Sequence, residues 1–95
     1  MKISVLGNQL IIKENITTVA HFDDIKKELE RIRLSNSSII LRVEDSLVIN
    51  SSLIGYLTKL INQYKITVSI HAGSEILFEL LDDLGLAQSF NLKKI

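Results

Sequence analysis

Polar and apolar residues alternate at the start of the chain, where two short apolar stretches lie close together. Residues 2–6 have the sequence KISVL, residues 10–12 have the sequence LII, and Gly7-Asn8-Gln9 separates them. Alternation with a period of two is typical of a β-strand, and a short polar turn between two such stretches predicts a β-hairpin.

The next segment changes to a helical period. Its apolar residues lie three or four positions apart, and they are Val19, Phe22, Ile25, Leu29 and Ile32. This spacing predicts an amphipathic helix. Thr18 is its predicted N-cap, because a threonine hydroxyl can accept a hydrogen bond from an unpaired N–H group of the first turn. The polar residues 34–38 (LSNSS) are expected to end the helix.

The middle of the chain predicts a strand followed by a second helix. Residues 39–43 (IILRV) form an almost continuous apolar run, which favours a strand buried on both faces. After the connection at 44–46, residues 47–49 (LVI) are expected to return the chain to the core. A helix is then predicted from about Leu53, on the spacing of six residues: Leu53, Ile54, Leu57, Leu60, Ile61 and Tyr64.

The last third repeats the same order of elements. Residues 66–70 (ITVSI) alternate strictly, which predicts a strand near a sheet edge, and residues 71–73 are a predicted turn. Ser74 is expected to cap a third helix that Gly85 ends. Its apolar residues are Leu77, Leu80, Leu81 and Leu84. Residues 89–95 allow one more short strand.

These elements define the predicted fold class. The order is ββαβαβα, with a possible final strand. Alternating strands and helices imply parallel pairing through right-handed crossovers, and the opening hairpin makes the sheet mixed. A length of 95 residues fits one domain, residues 1–95. The sequence therefore predicts a small α/β protein with a mixed sheet and amphipathic helices.

Composition narrows the classes of function. Eleven basic and eleven acidic residues cancel, and no strongly basic surface of the kind that nucleic acid requires is evident. The chain has no Cys, so it has neither disulfides nor thiolate metal ligands. No apolar run approaches the roughly 20 residues of a membrane span, and the first residues lack the pattern of a secretory signal. We therefore expect a cytoplasmic protein that binds no nucleic acid and does not insert into a membrane.

Ser51 and Ser52 are adjacent hydroxyls at the predicted junction between the central strand and the second helix. Functional sites of open α/β sheets lie at the carboxyl ends of their strands. The simplest interpretation is that Asn50 and the serines cap the helix. The alternative is a phosphorylation site, because unpaired N–H groups and the helix dipole stabilise an anion at this position. A phosphoryl group there would add close to two negative charges beside Leu53, Ile54 and Tyr56 and so disrupt docking of an apolar partner.

Catalytic chemistry has weaker signals. His71 follows the predicted strand 66–70 and could lie near Ser51, which raises the alternative of a small hydrolase. However, the chain has no G-x-S-x-G sequence, no evident acid to orient the histidine and no glycine-rich phosphate loop. His21 and His71 lack the spacing of a metal site. We therefore expect no catalytic residues, no metal and no cofactor.

The stretch from residue 39 to residue 90 resembles the STAS domain, the fold of bacterial anti-sigma factor antagonists and of the cytoplasmic tails of sulfate transporters. That family has a D-S-S-G-L-G element between a strand and a helix, and Asn50-Ser51-Ser52-Leu53-Ile54-Gly55 stands in its place. Gly85-Leu86 matches the family's later G-L pair, and Phe90 matches the aromatic residue near the end of the family pattern. Residues 15–29 also match the family's first helix, so the resemblance covers almost the whole chain.

The resemblance implies a non-catalytic regulatory protein. In such antagonists the first serine of the pair is phosphorylated by a partner that is both anti-sigma factor and serine kinase, of the histidine-kinase-like ATPase type. The corresponding residue here is Ser51, with Ser52 a less favoured second site. The implied docking surface comprises Asn50, Ser51, Ser52, Leu53, Ile54, Gly55, Tyr56 and Lys59. Gly55 would permit the close approach of a neighbour. The alternative within the family is a constitutive subunit or adaptor, such as the STAS component of a lipid-transport ABC system, without phosphorylation.

Four positions depart from the family pattern. Asn50 replaces an Asp before the serines, and Leu53 replaces the first Gly after them. Thr18 replaces an Asp at the start of the first helix, and Arg42 replaces an acidic residue of the central strand. The loss of negative charge around Ser51 eases the placing of a phosphate there, but it also changes groups that a kinase could read.

Overall fold

A computed structural model describes residues 2–95 of the protein. Its elements, in chain order, are β1 (Ile3–Leu6), β2 (Gln9–Ile12), α1 (Val19–Arg33), β3 (Ser38–Val43), α2 (Ser51–Asn62), β4 (Thr67–Ala72), α3 (Glu75–Asp83) and β5 (Lys93–Lys94). The predicted small α/β fold with a mixed sheet is confirmed. The opening hairpin is present, and the tail forms the short final strand.

The five strands form one sheet in the order β1-β2-β3-β4-β5. The β1–β2 pair is antiparallel, and the other three pairs are parallel. Each parallel connection therefore moves one strand further in the same direction. Crossovers of one handedness that all step in one direction put their helices on the same face of the sheet. The sheet consequently has one face covered by helices and one open face.

Burial along β3 shows this one-sided arrangement. Ile39, Leu41 and Val43 are fully buried, whereas the alternating Ile40 and Arg42 are only half-buried. The prediction of a strand buried on both faces is therefore wrong. The run is apolar on both sides, but the strand order leaves no helix to cover the second side.

The core lies between the covered face and the three helices. Leu10, Leu41 and Ile70 align across β2, β3 and β4, as do Ile12, Val43 and Ala72. All six are fully buried. The helices add nine buried residues: Ile25, Leu29, Ile32, Leu53, Tyr56, Leu57, Leu60, Leu77 and Leu81. Phe90 packs into the same cluster and anchors the tail.

Local hydrogen bonds fix the helix ends. The side chain of Thr18 accepts from His21 N and that of Ser74 accepts from Ile76 N and Leu77 N, so both predicted N-caps are confirmed. At the end of α3, Gly85 N donates to Asp82 O and Leu86 N donates to Leu81 O. This is a Schellman motif, and Gly85 adopts the left-handed φ of 76° that the motif requires.

Two connections differ from the sequence predictions. β4 extends to Ala72, so His71 lies within the strand and not in a turn. Of residues 47–49 only Ile49 is buried, whereas Leu47 and Val48 are exposed on an irregular loop. In the described part of the chain, residues 2–95, no helix is long and apolar enough to cross a membrane.

Candidate protein-binding edge

The carboxyl ends of β2, β3 and β4 meet along one edge of the sheet, and α1, α2 and α3 begin there. We call this region the carboxyl edge and define it as residues 13–19, 44–52 and 73–76. It is the position at which open α/β sheets place their functional sites.

Ser46 connects two loops of the carboxyl edge, the one before α1 and the one before α2. It is a fully buried polar residue. Its hydroxyl accepts from Ile16 N at 3.1 Å and donates to Val48 O at 2.6 Å. The side-chain oxygen of Asn15 accepts from Leu47 N at 2.9 Å and makes a second link between the same loops. These contacts fix the path of residues 44–50 and turn Leu47 and Val48 outward.

Gly73 allows the loops after β3 and β4 to approach each other. Its N–H donates to Val43 O at 2.8 Å. A Cβ at position 73 would lie 2.9 Å from the Cα of Glu44, which is closer than side chains approach backbone atoms. The edge is therefore packed backbone against backbone at this point.

Four apolar side chains point to solvent along the carboxyl edge. Val19 is 77% exposed and Ile76 is 61% exposed, each near the start of its helix. Leu47 and Val48 are about half-exposed on the loop between them. Exposed apolar side chains that share one region of a protein surface are typical of an interaction site.

The serine pair lies at the same edge of the sheet, on the first turn of α2. The helix begins at Ser51, and Asn50 is the N-cap, since its side-chain oxygen accepts from Leu53 N at 2.8 Å. The capping interpretation is therefore confirmed for Asn50 and wrong for the two serines. Ser51 and Ser52 are both exposed. Within residues 2–95, neither hydroxyl makes a hydrogen bond that would hold it in place.

The electrostatic surroundings of Ser51 favour an anion. The first turn of α2 contains no acidic residue. The N–H groups of a helix's first turn lack intrahelical acceptors and carry the positive end of the dipole. The preceding loop has two acids: Glu44 accepts a hydrogen bond from Arg42 Nε at 2.7 Å, so its charge is paired, and Asp45 is exposed to solvent.

The predicted docking residues divide into two groups. Asn50, Ser51, Ser52, Gly55 and Lys59 are wholly or partly accessible, and Ile54 is half-buried. Leu53 is fully buried and Tyr56 is 6% exposed. The prediction that Leu53 and Tyr56 contact a partner therefore conflicts with their burial, because both side chains point into the core. Nothing lies within 4 Å of a Cβ built on Gly55, so the surface above this residue is open.

Tyr56 instead joins α2 to α1. Its hydroxyl donates to Glu30 Oε1, and its ring lies 6.5 Å from that of Phe22 in an edge-on contact. Burial and the bond to Glu30 raise the pKa of Tyr56, and the same hydrogen bond is the main cause that lowers the pKa of Glu30. The sequence carried a signal for this role, since 53, 56, 57 and 60 form a regular helical stripe.

The structure does not bring His71 and Ser51 together as a nucleophile pair. His71 lies on the open face of β4, whereas α2 packs against the opposite face. The neighbours of His71 in register are Arg42 and Lys93. The pKa of His71 is lowered, first by burial and then by the charges of Lys93 and Arg42.

Comparisons of this chain with protein-family models, with curated proteins and with solved structures give no match. The function is therefore inferred from the geometry of the carboxyl edge and from the sequence pattern around the serines.

Proposed function

We infer that the protein is a non-catalytic, STAS-like binding domain of the cytoplasm and that it acts as an anti-sigma factor antagonist. Its partner is an anti-sigma factor that is also a serine kinase of the histidine-kinase-like ATPase type. Binding is switched off when the kinase phosphorylates Ser51. The observation that carries the proposal is the exposed, unbonded hydroxyl of Ser51, which Asn50 releases by capping α2 in its place.

The apolar side chains of the carboxyl edge support a protein partner. Val19, Leu47 and Val48 expose apolar surface along the same edge of the sheet as Ser51 and Ser52. Apolar contacts of this kind supply affinity only when they are dehydrated on binding. A phosphoryl group on Ser51 would bring close to two negative charges and a hydration shell to the border of this surface. Docking would then require removing water from the charge, which weakens the complex without refolding the domain.

Phosphorylation can be tested by intact mass after incubation with ATP and a candidate serine kinase of the histidine-kinase-like ATPase type. We expect one added phosphate on the wild type and on Ser52→Ala, and none on Ser51→Ala. Ser89→Ala is a matched control, because Ser89 is exposed but far from the carboxyl edge in sequence and sheet position. An unmodified wild type, or a phosphate that remains on Ser51→Ala, would contradict the assignment of Ser51.

The exposed apolar loop also supports a second candidate, a constitutive subunit of a complex such as a lipid-transport ABC system. In that role Leu47 and Val48 would bind another subunit of the complex permanently, and the serines would have no regulatory function. The double variant Leu47→Asp/Val48→Asp should then lose its association with the transporter ATPase. Ser51→Asp should retain it, whereas the antagonist role requires that Ser51→Asp weaken binding.

A further inference from the structure

The open face of the sheet is a second surface without a partner in this chain. Strand residues that alternate with the core positions lie on it: Leu6, Gln9, Ile11, Ile40, Arg42, Ser69, His71 and Lys93. Ile11 and Ile40 are half-buried at its centre, and Leu6 is 71% exposed at its border. The face therefore combines an apolar centre with polar and charged surroundings.

Charges on the open face are mainly positive, although the net charge of the whole chain is zero. Arg42, His71 and Lys93 are neighbours in register on β3, β4 and β5. Lys13 continues the alternation of β2 just beyond its end. Glu44 accompanies them and is paired with Arg42, so Lys13 and Lys93 carry the positive charge of this face that an acid does not offset. The charges that balance this face must lie elsewhere on the molecule.

The balancing charges lie on α3. No Lys or Arg occurs between residues 66 and 92, whereas four exposed acids follow a helical spacing: Glu75, Glu79, Asp82 and Asp83. We call these four residues the acidic strip. Within residues 2–95 they form no ion pair with a basic side chain. The half-buried Leu80 and the exposed Leu84 lie beside them and add apolar surface.

We propose that the open face binds the acidic strip of a second copy of this chain. The two surfaces are complementary in charge, and each has apolar residues among its charges. A symmetric contact between two open faces would instead put Lys13 and Lys93 of one copy against the same cations of the other. No strand within residues 2–95 contains Phe, Tyr or Trp, so the open face lacks the large aromatic rings on which single-stranded nucleic acid bases stack.

The contact is head to tail, because its two halves are different surfaces of one molecule. Such heterologous contacts do not close into a two-fold dimer and add further copies at both ends. Exposed charges contribute much of the attraction, so added salt should weaken the assembly. The wild type should therefore form species of increasing size as protein concentration rises at low salt.

Two complementary variants test this geometry. Lys13→Glu/Lys93→Glu reverses charge on the open face and leaves the acidic strip intact. Glu79→Lys/Asp83→Lys reverses the strip and leaves the open face intact. Lys27→Glu/Lys65→Glu is the control, since it makes the same charge change as the first variant on exposed residues outside both surfaces. Circular dichroism confirms that each variant is folded before association is measured.

Sedimentation velocity at millimolar protein concentration and low salt measures the size of the species that form. We expect the wild type and the control to associate beyond the dimer, and each charge-reversed variant alone to remain a monomer. An equimolar mixture of the two reversed variants should associate again, because the intact open face of one meets the intact acidic strip of the other and the two reversed surfaces also attract each other. A monomeric wild type, a wild type that stops at a dimer, or a mixture that stays monomeric would overturn the proposal.

Discussion

The buried hydroxyl of Ser46 has the largest effect expected of any single polar side chain at the carboxyl edge. It gives Ile16 N an acceptor and Val48 O a donor, and it connects the loops that precede α1 and α2. The shape of the proposed binding surface therefore depends on a residue that no partner would touch.

Ser46→Ala should lower the free energy of unfolding by about 1–3 kcal/mol, because the buried N–H of Ile16 would lose its acceptor. Urea denaturation measures the change. Ser35→Ala is the matched control: Ser35 is exposed, and its removal should change stability by less than about 0.5 kcal/mol. Equal stability of the two variants would show that Ser46 does not organise the edge.

Tyr56→Phe removes the hydroxyl that donates to Glu30 and keeps the buried ring. We expect a loss of about 1 kcal/mol at neutral pH. The pKa of Glu30 is lowered in the folded protein from its ordinary 4.5, so its hydrogen bond stabilises the fold above that pH. This contribution is lost as the pH falls through the lowered pKa of Glu30.

The difference in stability between wild type and Tyr56→Phe should therefore decrease in acid, and urea denaturation at a series of pH values measures it. A difference that is zero at neutral pH, or that grows as the pH falls, would contradict the assigned hydrogen bond.

At the scale of the elements, two glycines of neighbouring helices have opposite roles. Gly55 is exposed within α2, its φ is ordinary, and the space above it is open. Gly85 follows α3 with a φ of 76°, a conformation that costs other residues about 1 kcal/mol or more. The fold requires Gly85 but does not require Gly55.

Gly55→Ala should therefore raise stability by roughly 0.5–1 kcal/mol, because alanine is the better helix former. Gly85→Ala should lower it by about 1 kcal/mol. Thermal unfolding compares the two variants with the wild type. If Gly55→Ala is more stable but binds the kinase less well, the open surface above Gly55 is a contact; unchanged binding would exclude it from the docking surface.

The open face of the sheet adds a pH dependence through His71. The pKa of His71 is lowered in the folded protein from its ordinary 6.5, by burial and by Lys93 and Arg42. As the pH falls below 6.5, the unfolded chain takes up a proton before the folded chain does, so the free energy of unfolding decreases. The decrease ends below the lowered pKa.

His71→Gln lacks this titrating group. Its free energy of unfolding relative to that of the wild type should therefore increase as the pH is lowered from 7.5 to about 5. Urea denaturation at both pH values is the measurement. A constant difference between the two proteins would show that His71 titrates alike in the folded and unfolded states.

For the molecule as a whole, local sequence patterns predicted the helices and strands better than they predicted which residues are buried. Helical spacing identified most buried residues, but it also included Val19, Tyr64 and Leu84, which are exposed. Val19 opens α1, and the other two follow the last residues of their helices. A periodic pattern does not show where a helix ends, and a residue in the last turn or beyond it loses its place against the core.

Two further predictions differ from the structure. One depends on the order of the strands, and the other depends on the residue at which α2 begins. The second face of β3 is uncovered because every crossover steps in the same direction, and strand order is not encoded in the run IILRV itself. At the serines, Asn50, Ser51 and Ser52 are all good N-caps. A shift of one residue in the start of α2 decides which side chain is used, and here it leaves both hydroxyls free.

The most direct test of the account measures how charge at position 51 affects binding. Calorimetric titration compares the affinity of wild type, Ser51→Ala and Ser51→Asp for the candidate kinase that phosphorylates the wild type. We predict equal affinities for the wild type and Ser51→Ala, and an affinity at least about 10-fold lower for Ser51→Asp, which corresponds to about 1.4 kcal/mol. Equal binding by all three proteins would contradict the proposal that Ser51 is the switch.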